Sequence, residues 1–391
     1  MLERLWTKSF IGLTLAMFFL GLGFYLLLPT LPLYIKDLNI GESELGLIIG
    51  VFTLSAVVVR PVIGGLLDRF GRRFFIVAGL ILFAIAMFLY NYVTGIFLLF
   101  LLRLLHGGGW AISTTSIGTS ITDVIPSLRR SEGMGWYGMS MSISMALGPI
   151  IGVWLVNSYS FRHLIALASC LSVVAILIAL ATKVPAIRSD NKRKMVFFDK
   201  SVLSISVAIF FLALTYGGIT TFLPLFAASI QVNAGTFFLV YAIALTLTRP
   251  VAGRLADRYS EGSIIIPSII LTIIALLILS LSDGLLGVMA SAILYGIGFG
   301  SAQPTLQSAI LDLVSPAKKG IANASFFTAM DLGIGLGSIL LGFISQFFGF
   351  SALFATCAGS GIIALLIFTG FVRRTLLYRK EEHNSNIDQS R

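Results

Sequence analysis

The segment Arg60-Pro61-Val62-Ile63-Gly64-Gly65-Leu66-Leu67-Asp68-Arg69 returns as Arg249-Pro250-Val251-Ala252-Gly253-Arg254-Leu255-Ala256-Asp257-Arg258. The copies match at seven of ten positions, at an offset of 189. The same offset carries Gly107 to Gly296, Gly109 to Gly298, Asp123 to Asp312, and Arg129–Arg130 to Lys318–Lys319. One offset held over roughly 70 residues marks an internal duplication. Both copies enter their helices from the same direction, so the halves are parallel repeats about an axis along the membrane normal.

Composition says where such a duplication can fold. Apolar residues make up 57% of the chain and charged residues 11%, against about 25% charged in soluble domains. A spanning helix needs roughly 20 apolar residues, and the chain supplies such runs repeatedly. They predict helices over 9–35, 45–66, 74–92, 95–124, 133–156 and 163–182, then 201–227, 235–256, 263–282, 285–314, 320–344 and 351–372. The expected fold is an all-α membrane protein of twelve transmembrane helices in two pseudo-symmetric six-helix bundles. Residues 1–182 form the first bundle, 183–200 a basic linker, 201–372 the second bundle and 373–391 a tail. The first apolar run is too long for a signal-peptide core and lacks a small-residue cleavage site, so it reads as a retained helix.

The net charge of +10 does not indicate nucleic-acid binding, because the cations follow the loops. One side holds Arg4, Lys8, Arg69, Arg72, Arg73, Arg129, Arg130, Lys183, Arg188, Lys192, Arg193, Lys194 and Lys200. It also holds Arg254, Arg258, Lys318, Lys319 and the five basic residues of the tail. The other side has Lys36 and Arg162, and Arg60, Arg103 and Arg249 lie within helices. This asymmetry predicts a multi-pass cell-membrane protein with both termini cytoplasmic. Cys170 and Cys357 fall in apolar runs and read as packing residues. His106, His163 and His383 are scattered, so no metal-ligand cluster is expected, and no nucleophile–base pairing points to a membrane enzyme.

The turn after helix 2 reads Gly64-x-x-x-Asp68-Arg69-x-Gly71-Arg72-Arg73. It matches completely the G-x-x-x-D-R-x-G-R-R signature of the major facilitator superfamily, which the chain resembles over nearly its whole length. The segment reads as a cytoplasmic gate. Gly64 permits close helix approach, Asp68 suits a neighbouring helix N-terminus, and Arg69, Arg72 and Arg73 anchor at the interface. Asp123 is the expected salt partner of Arg72. Gly253, Asp257 and Arg258 are the gate's counterparts in the second half. The bland alternative is that these arginines serve only topology.

Helix 4 carries Arg103-x-x-x-Gly107-x-Gly109-x-Ala111, similar to the family's R-x-x-x-G-x-G-x-A motif, whose arginine the family ties to proton coupling. Arg103, His106, Gly107, Trp110 and Thr114 share one helical face. A charged arginine in hydrocarbon costs roughly 2.5–3.5 kcal/mol on insertion scales, so Arg103 is expected to face an interior cavity. Helix 5 reads Gly135-x8-Ser144-x3-Gly148-Pro149-x2-Gly152-Val153. It looks like the family's exporter-associated motif, with Ser144 and Val153 replacing two glycines. Its small residues are expected to pack tightly on a helix of the other half, with Pro149 permitting a bend.

The resemblance implies transport of a small molecule by alternating access, with no cofactor, as a monomer in membrane lipid. No phosphate-binding loop of the G-x-x-x-x-G-K-[ST] type occurs, so energy is expected from a gradient. Asp331 lies mid-helix in helix 11, and a carboxylate held in hydrocarbon takes up a proton readily, as a proton carrier must. A structural ion pair of Asp331 with Arg60, Arg249 or Arg103 is the alternative. His106 is the other central titratable group; a neutral histidine hydrogen-bonded within the bundle is the alternative. The acidic residue that the family's drug exporters often carry in helix 1 is missing, which shifts weight to Asp331. Tyr25, Trp110, Thr114, Met141, Met145, Tyr216, Thr220, Gln303 and Gln307 are expected to line the substrate cavity, although Met and aromatic residues in helices also serve packing. The expected activity is proton-coupled efflux of small amphipathic or drug-like compounds. The alternative is transport of a specific metabolite such as a sugar, an amino-acid derivative or a metal-chelating compound.

Overall fold

The computed structural model describes residues 4–36, 41–93, 95–126, 129–184, 200–258, 261–314 and 319–375. Most of the linker, and the tail beyond residue 375, lie outside them. Helices dominate throughout: α1 (Lys8–Leu27), α2 (Glu42–Phe70), α3 (Arg72–Leu89), α4 (Ile96–Val124), α5 (Arg130–Ser158) and α6 (Phe161–Ala181). The second series is α7 (Leu203–Ser229), α8 (Ala234–Arg258), α9 (Glu261–Ser280) and α10 (Leu285–Asp312). A last stretch, Lys319–Ile367, divides at Gly349 (φ 79°) into α11 (319–348) and α12 (350–367).

Ten stretches among the described residues are long and apolar enough to cross a membrane. One of them, Ser325–Thr375, is the broken pair α11–α12. A further apolar stretch, Ala234–Arg249, belongs to α8. The twelve expected helices are therefore all present.

Two boundaries differ from the periodicity. The first span is not one helix, because α1 stops before Pro29 and a short helix, Leu31–Lys36, follows. Proline lacks the N–H that would continue the ladder, and the Thr30 hydroxyl donates to Leu26 O at 2.9 Å across the break. The last helix ends in a π-helical turn, Phe368–Val372. Local caps set other ends. Thr7 Oγ1 accepts from Phe10 N at 3.2 Å, and Glu44 accepts from Gly41 N at 3.0 Å.

Two compact units emerge: Met1–Met195 with Thr220–Ala228, and Val196–Ile219 with Ser229–Arg391, so α7 contributes to both. Within the first unit α4 packs on α2 and α3, and α5 and α6 pack on α1; within the second, α10 packs on α8 and α9. The approach is close where glycines sit. A Cβ added at Gly107 would overlap Phe52 O of α2, and one at Gly296 would lie 2.7 Å from Tyr241 O of α8. Phe52 and Tyr241 are themselves 189 apart. The duplication therefore repeats contacts as well as letters.

Candidate functional site

The gate signature bends where glycine is required. Gly71 joins α2 to α3 at φ 87°, in the left-handed region that glycine alone adopts freely. Its N–H donates to Leu67 O at 3.1 Å. The next residue, Arg72, is ion-paired with Asp123 at the end of α4 and donates to Thr119 O at 3.3 Å. Arg73 Nη2 donates to Leu180 O at 3.0 Å, capping the last turn of α6. Three helix ends are thus tied by two consecutive arginines. The side chains of Asp68, Arg69, Asp257 and Arg258, and the glycines Gly64, Gly135 and Gly253, lie outside the described residues.

Arg103 is almost wholly enclosed, at 1% exposure. Its side chain is packed within the bundle. Nε donates to Ile48 O at 3.1 Å, Nη2 to Ile49 O at 3.5 Å, and Nη1 to the Tyr90 hydroxyl at 3.4 Å. The guanidinium carbon lies 4.5 Å from the Phe52 ring centroid. Carbonyl dipoles and an aromatic face offset the desolvation that makes a lone buried charge costly. No carboxylate pairs with Arg103 among the described residues of its own unit.

The chain of bonds continues. Tyr90 Oη lies 3.2 Å from His106 Nδ1. Arg103 can only donate, so the Tyr90 oxygen accepts from it; the direction of the Tyr90–His106 bond follows the imidazole tautomer. Nε2 has no hydrogen-bond partner among the described residues. Around the ring stand Phe83 at 4.4 Å, Phe52 at 5.3 Å and Phe24 at 6.4 Å between centroids. Trp110 stacks on Phe24 at 4.4 Å.

The sequence reading named Arg103, His106 and Trp110 but missed Tyr90, Phe24, Phe52 and Phe83. The repeat offset held a usable signal. It maps Phe52, His106 and Trp110 onto Tyr241, Tyr295 and Phe299, so aromatic or ring positions recur in both halves.

In the second unit Tyr216 stacks on Phe299 at 5.1 Å, Tyr295 stacks on Phe299 at 5.5 Å, and Tyr295 Oη lies 2.9 Å from Thr215 Oγ1. Arg249 Nη2 reaches Gln303 Oε1 at 3.5 Å. Gln303 is buried and Gln307, one turn on, is half-buried, as is Asp331 on α11. Tyr25, Trp110, Thr114, Met141, Met145, Tyr216 and Thr220 are all buried.

On helix 5 the nearest neighbours of Gly148 and Gly152 belong to α1 of their own half. A Cβ at Gly148 would lie 2.7 Å from the Tyr25 carbonyl carbon, and one at Gly152 would overlap Leu26 O. Ser144, one turn before, donates to Phe18 O at 2.9 Å. The three residues are four apart and share a face, and α1 occupies it. The helix runs on through Pro149.

The family model described as Major Facilitator Superfamily matches residues 13–235 and 205–387. A staphylopine export protein of Staphylococcus aureus is 28% identical over 87% of this chain and 89% of its own length. The quinolone resistance protein NorA of the same species is 27% identical over 83% and 86%. A multidrug resistance protein MdtG of Citrobacter koseri is 26% identical over 96% and 97%. Among solved structures, the nucleoside transporter NupG covers 93% of this chain and 99% of its own, with a TM-score of 0.69 at 19% identity. The human organic anion transporter MFSD10 covers 92% and 98%, with a TM-score of 0.71 at 18% identity. Duplicated bundles of apolar helices, the bent gate turn and these matches lead to one statement: this chain is a multi-pass membrane transporter, not an enzyme, and belongs to the Major Facilitator Superfamily.

Proposed function

We propose that the chain is a proton-coupled exporter of small amphipathic compounds, working by alternating access. The observation that carries this reading is the buried cation of α4. Arg103 holds a full charge among backbone carbonyls and aromatic rings and is hydrogen-bonded through Tyr90 to a titratable ring. A membrane helix keeps such a charge where it serves a function. Asp331, half-buried on α11, is the proposed proton carrier, and Arg103 and His106 respond to its charge state. The relatives named for export and drug resistance support outward movement.

On this reading residues 1–182 and 201–372 rock against each other. The Arg72–Asp123 tie and its neighbours open and close the cytoplasmic side, both termini are cytoplasmic, and one chain suffices. Tyr25, Trp110, Thr114, Met141, Met145, Tyr216, Thr220, Gln303 and Gln307 contact the substrate when the cavity opens. Proton entry at about 2.3 kcal/mol per charge per 100 mV adds to the pH gradient in driving efflux.

The test uses everted vesicles loaded with a pH indicator. Adding a substrate releases protons in the wild type, and Asp331→Asn loses that release together with uphill transport. Normal uphill transport by Asp331→Asn sinks the coupling assignment. A second reading, export of one specific metabolite, is favoured by the likeness to the staphylopine export protein. A ligand panel read by thermal shift separates the two. Broad stabilisation by lipophilic cations supports the first, and a narrow profile the second.

A further inference from the structure

A cleft of about 500 Å³ opens between α3 and α6, lined by Phe88, Asn91, Tyr92, Arg162, Ala166 and Ser169. It lies at the end of the first bundle opposite the Gly71 turn, where the α3–α4 and α5–α6 connections meet. Arg162, Ala166 and Ser169 are spaced as one stripe of α6, while Phe88 lies in the last turn of α3 and Asn91 and Tyr92 in the 3-10 turn Tyr90–Tyr92 that follows it. Ala166, with its single methyl group, leaves the room between them.

Its polar groups are unspent. Arg162 is exposed at the mouth and has no hydrogen-bond or carboxylate partner among the described residues. Ser169 Oγ is enclosed deeper in, again without a partner among the described residues. Asn91 donates one bond, to Phe88 O at 3.1 Å, and its carbonyl oxygen is not used there. Away from the mouth both stripes turn apolar and stay exposed: Ile81 and Ile85 on α3, Val173 and Leu177 on α6. A cation and hydroxyls at one end of a cleft that continues into lipid-facing hydrocarbon fit an amphiphile with an anionic head.

We propose that this cleft binds an anionic glycerophospholipid, its phosphate on Arg162 and its acyl chains along the exposed stripes of α3 and α6. Arg162 brings to the interface a charge with no carboxylate partner among the described residues, which a lipid of net negative charge neutralises. A zwitterionic lipid carries its own ammonium and leaves that charge standing. The guanidinium fork matches phosphate oxygens, and Phe88 and Tyr92 stand at one end of the apolar span Arg72–Tyr92, where aromatic side chains meet headgroups.

The test takes the full chain, delipidated in detergent, and reads its apparent Tm against added phosphatidylglycerol, phosphatidylcholine or inorganic phosphate. Phosphatidylglycerol is expected to raise the Tm with dose, well above phosphatidylcholine, and inorganic phosphate to leave it unchanged. Arg162→Ala weakens the apparent phosphatidylglycerol affinity about tenfold, the factor set by loss of a charge-assisted bond. Ala166→Leu fills the cleft and removes the response. If Ala166→Leu does not fold, the exposed Arg162 site still decides. An unchanged lipid response in Arg162→Ala overturns the site. A shift reproduced by inorganic phosphate overturns the lipid, and equal shifts with both lipids overturn the preference for net charge.

Discussion

The two halves are built on one set of close contacts and have filled it with different chemistry. Gly107 meets Phe52 and Gly296 meets Tyr241; Gly109 meets Phe83 and Gly298 meets Thr272; Gly148 meets Tyr25 and Gly337 meets Leu214. Each pair maps onto its counterpart at the offset of 189. Yet the first half places Arg103, Tyr90 and His106 where the second has Ala292, Leu279 and Tyr295. The first set is a cation and two polar rings in a hydrogen-bonded chain. The second retains one neutral bond, Thr215 to Tyr295 at 2.9 Å. Backbone approach is the costly part to invent, so both copies keep it. The polar filling is free to diverge, and at these three mapped positions the first half has a cation and the second has none.

The comparison is most strongly tested at the glycines both halves share. Gly107→Ala forces a methyl group onto Phe52 O, and Gly296→Ala forces one close to Tyr241 O. Each is expected to destabilise by about 2–3 kcal/mol, with the larger effect at Gly107, where the approach is closer. Thermal melts of the purified variants in detergent measure it. Tolerance at one site and not the other breaks the equivalence of the two approaches.

Next comes the charge itself. Arg103→Lys keeps the cation but loses the planar fork that reaches two carbonyls and Tyr90 together. Transport is expected to fall about tenfold or more, equivalent to roughly 1.4 kcal/mol, with the chain still folded. Initial transport rates in vesicles, alongside the melting curve, check this. A lysine variant with unchanged rates reduces Arg103 to a packing residue.

Removing one hydroxyl sharpens the contrast further. Tyr90→Phe deletes two interior bonds, to Arg103 and His106, and Tyr295→Phe deletes the one to Thr215, each worth about 0.6 kcal/mol between membrane helices. The larger loss of stability is expected from Tyr90→Phe, and only Tyr90→Phe should shift the pH profile of transport, because only it contacts a titratable ring and a cation. The same shift from Tyr295→Phe would mean the halves share the proton work.

The smallest effect concerns α5. Ser144→Gly removes the bond to Phe18 O and returns the exporter-type glycine. The mapped position in the second half is already Gly333, which packs on Phe210 of α7. A stability change of about 0.6 kcal/mol or less is expected, with transport direction unaltered, as substrate accumulation assays read.

Much was legible before any coordinates, and particular residues show why. Twelve spans, the duplication and the Arg72–Asp123 partnership follow from hydropathy, repetition and opposite charges at helix ends. Hydrophobic length and charge are properties of a chain segment, so they survive without knowledge of its neighbours.

What surrounds Arg103 was of another kind. Its acceptors are the carbonyls of Ile48 and Ile49, and nothing about two isoleucines marks them as ligands of a cation. They serve because Gly107, one turn further along α4, lets that helix close on α2. Tyr90 completes the set from the end of α3, and it joins Arg103 to His106 only once three helices meet. The α5 glycines likewise declared a close approach without naming the helix that makes it; α1 fills that place. Sequence determined which segments span, how they repeat and where a charge would need company. The tertiary structure alone decided who keeps that company, because a backbone carbonyl becomes a partner by distance and not by residue type.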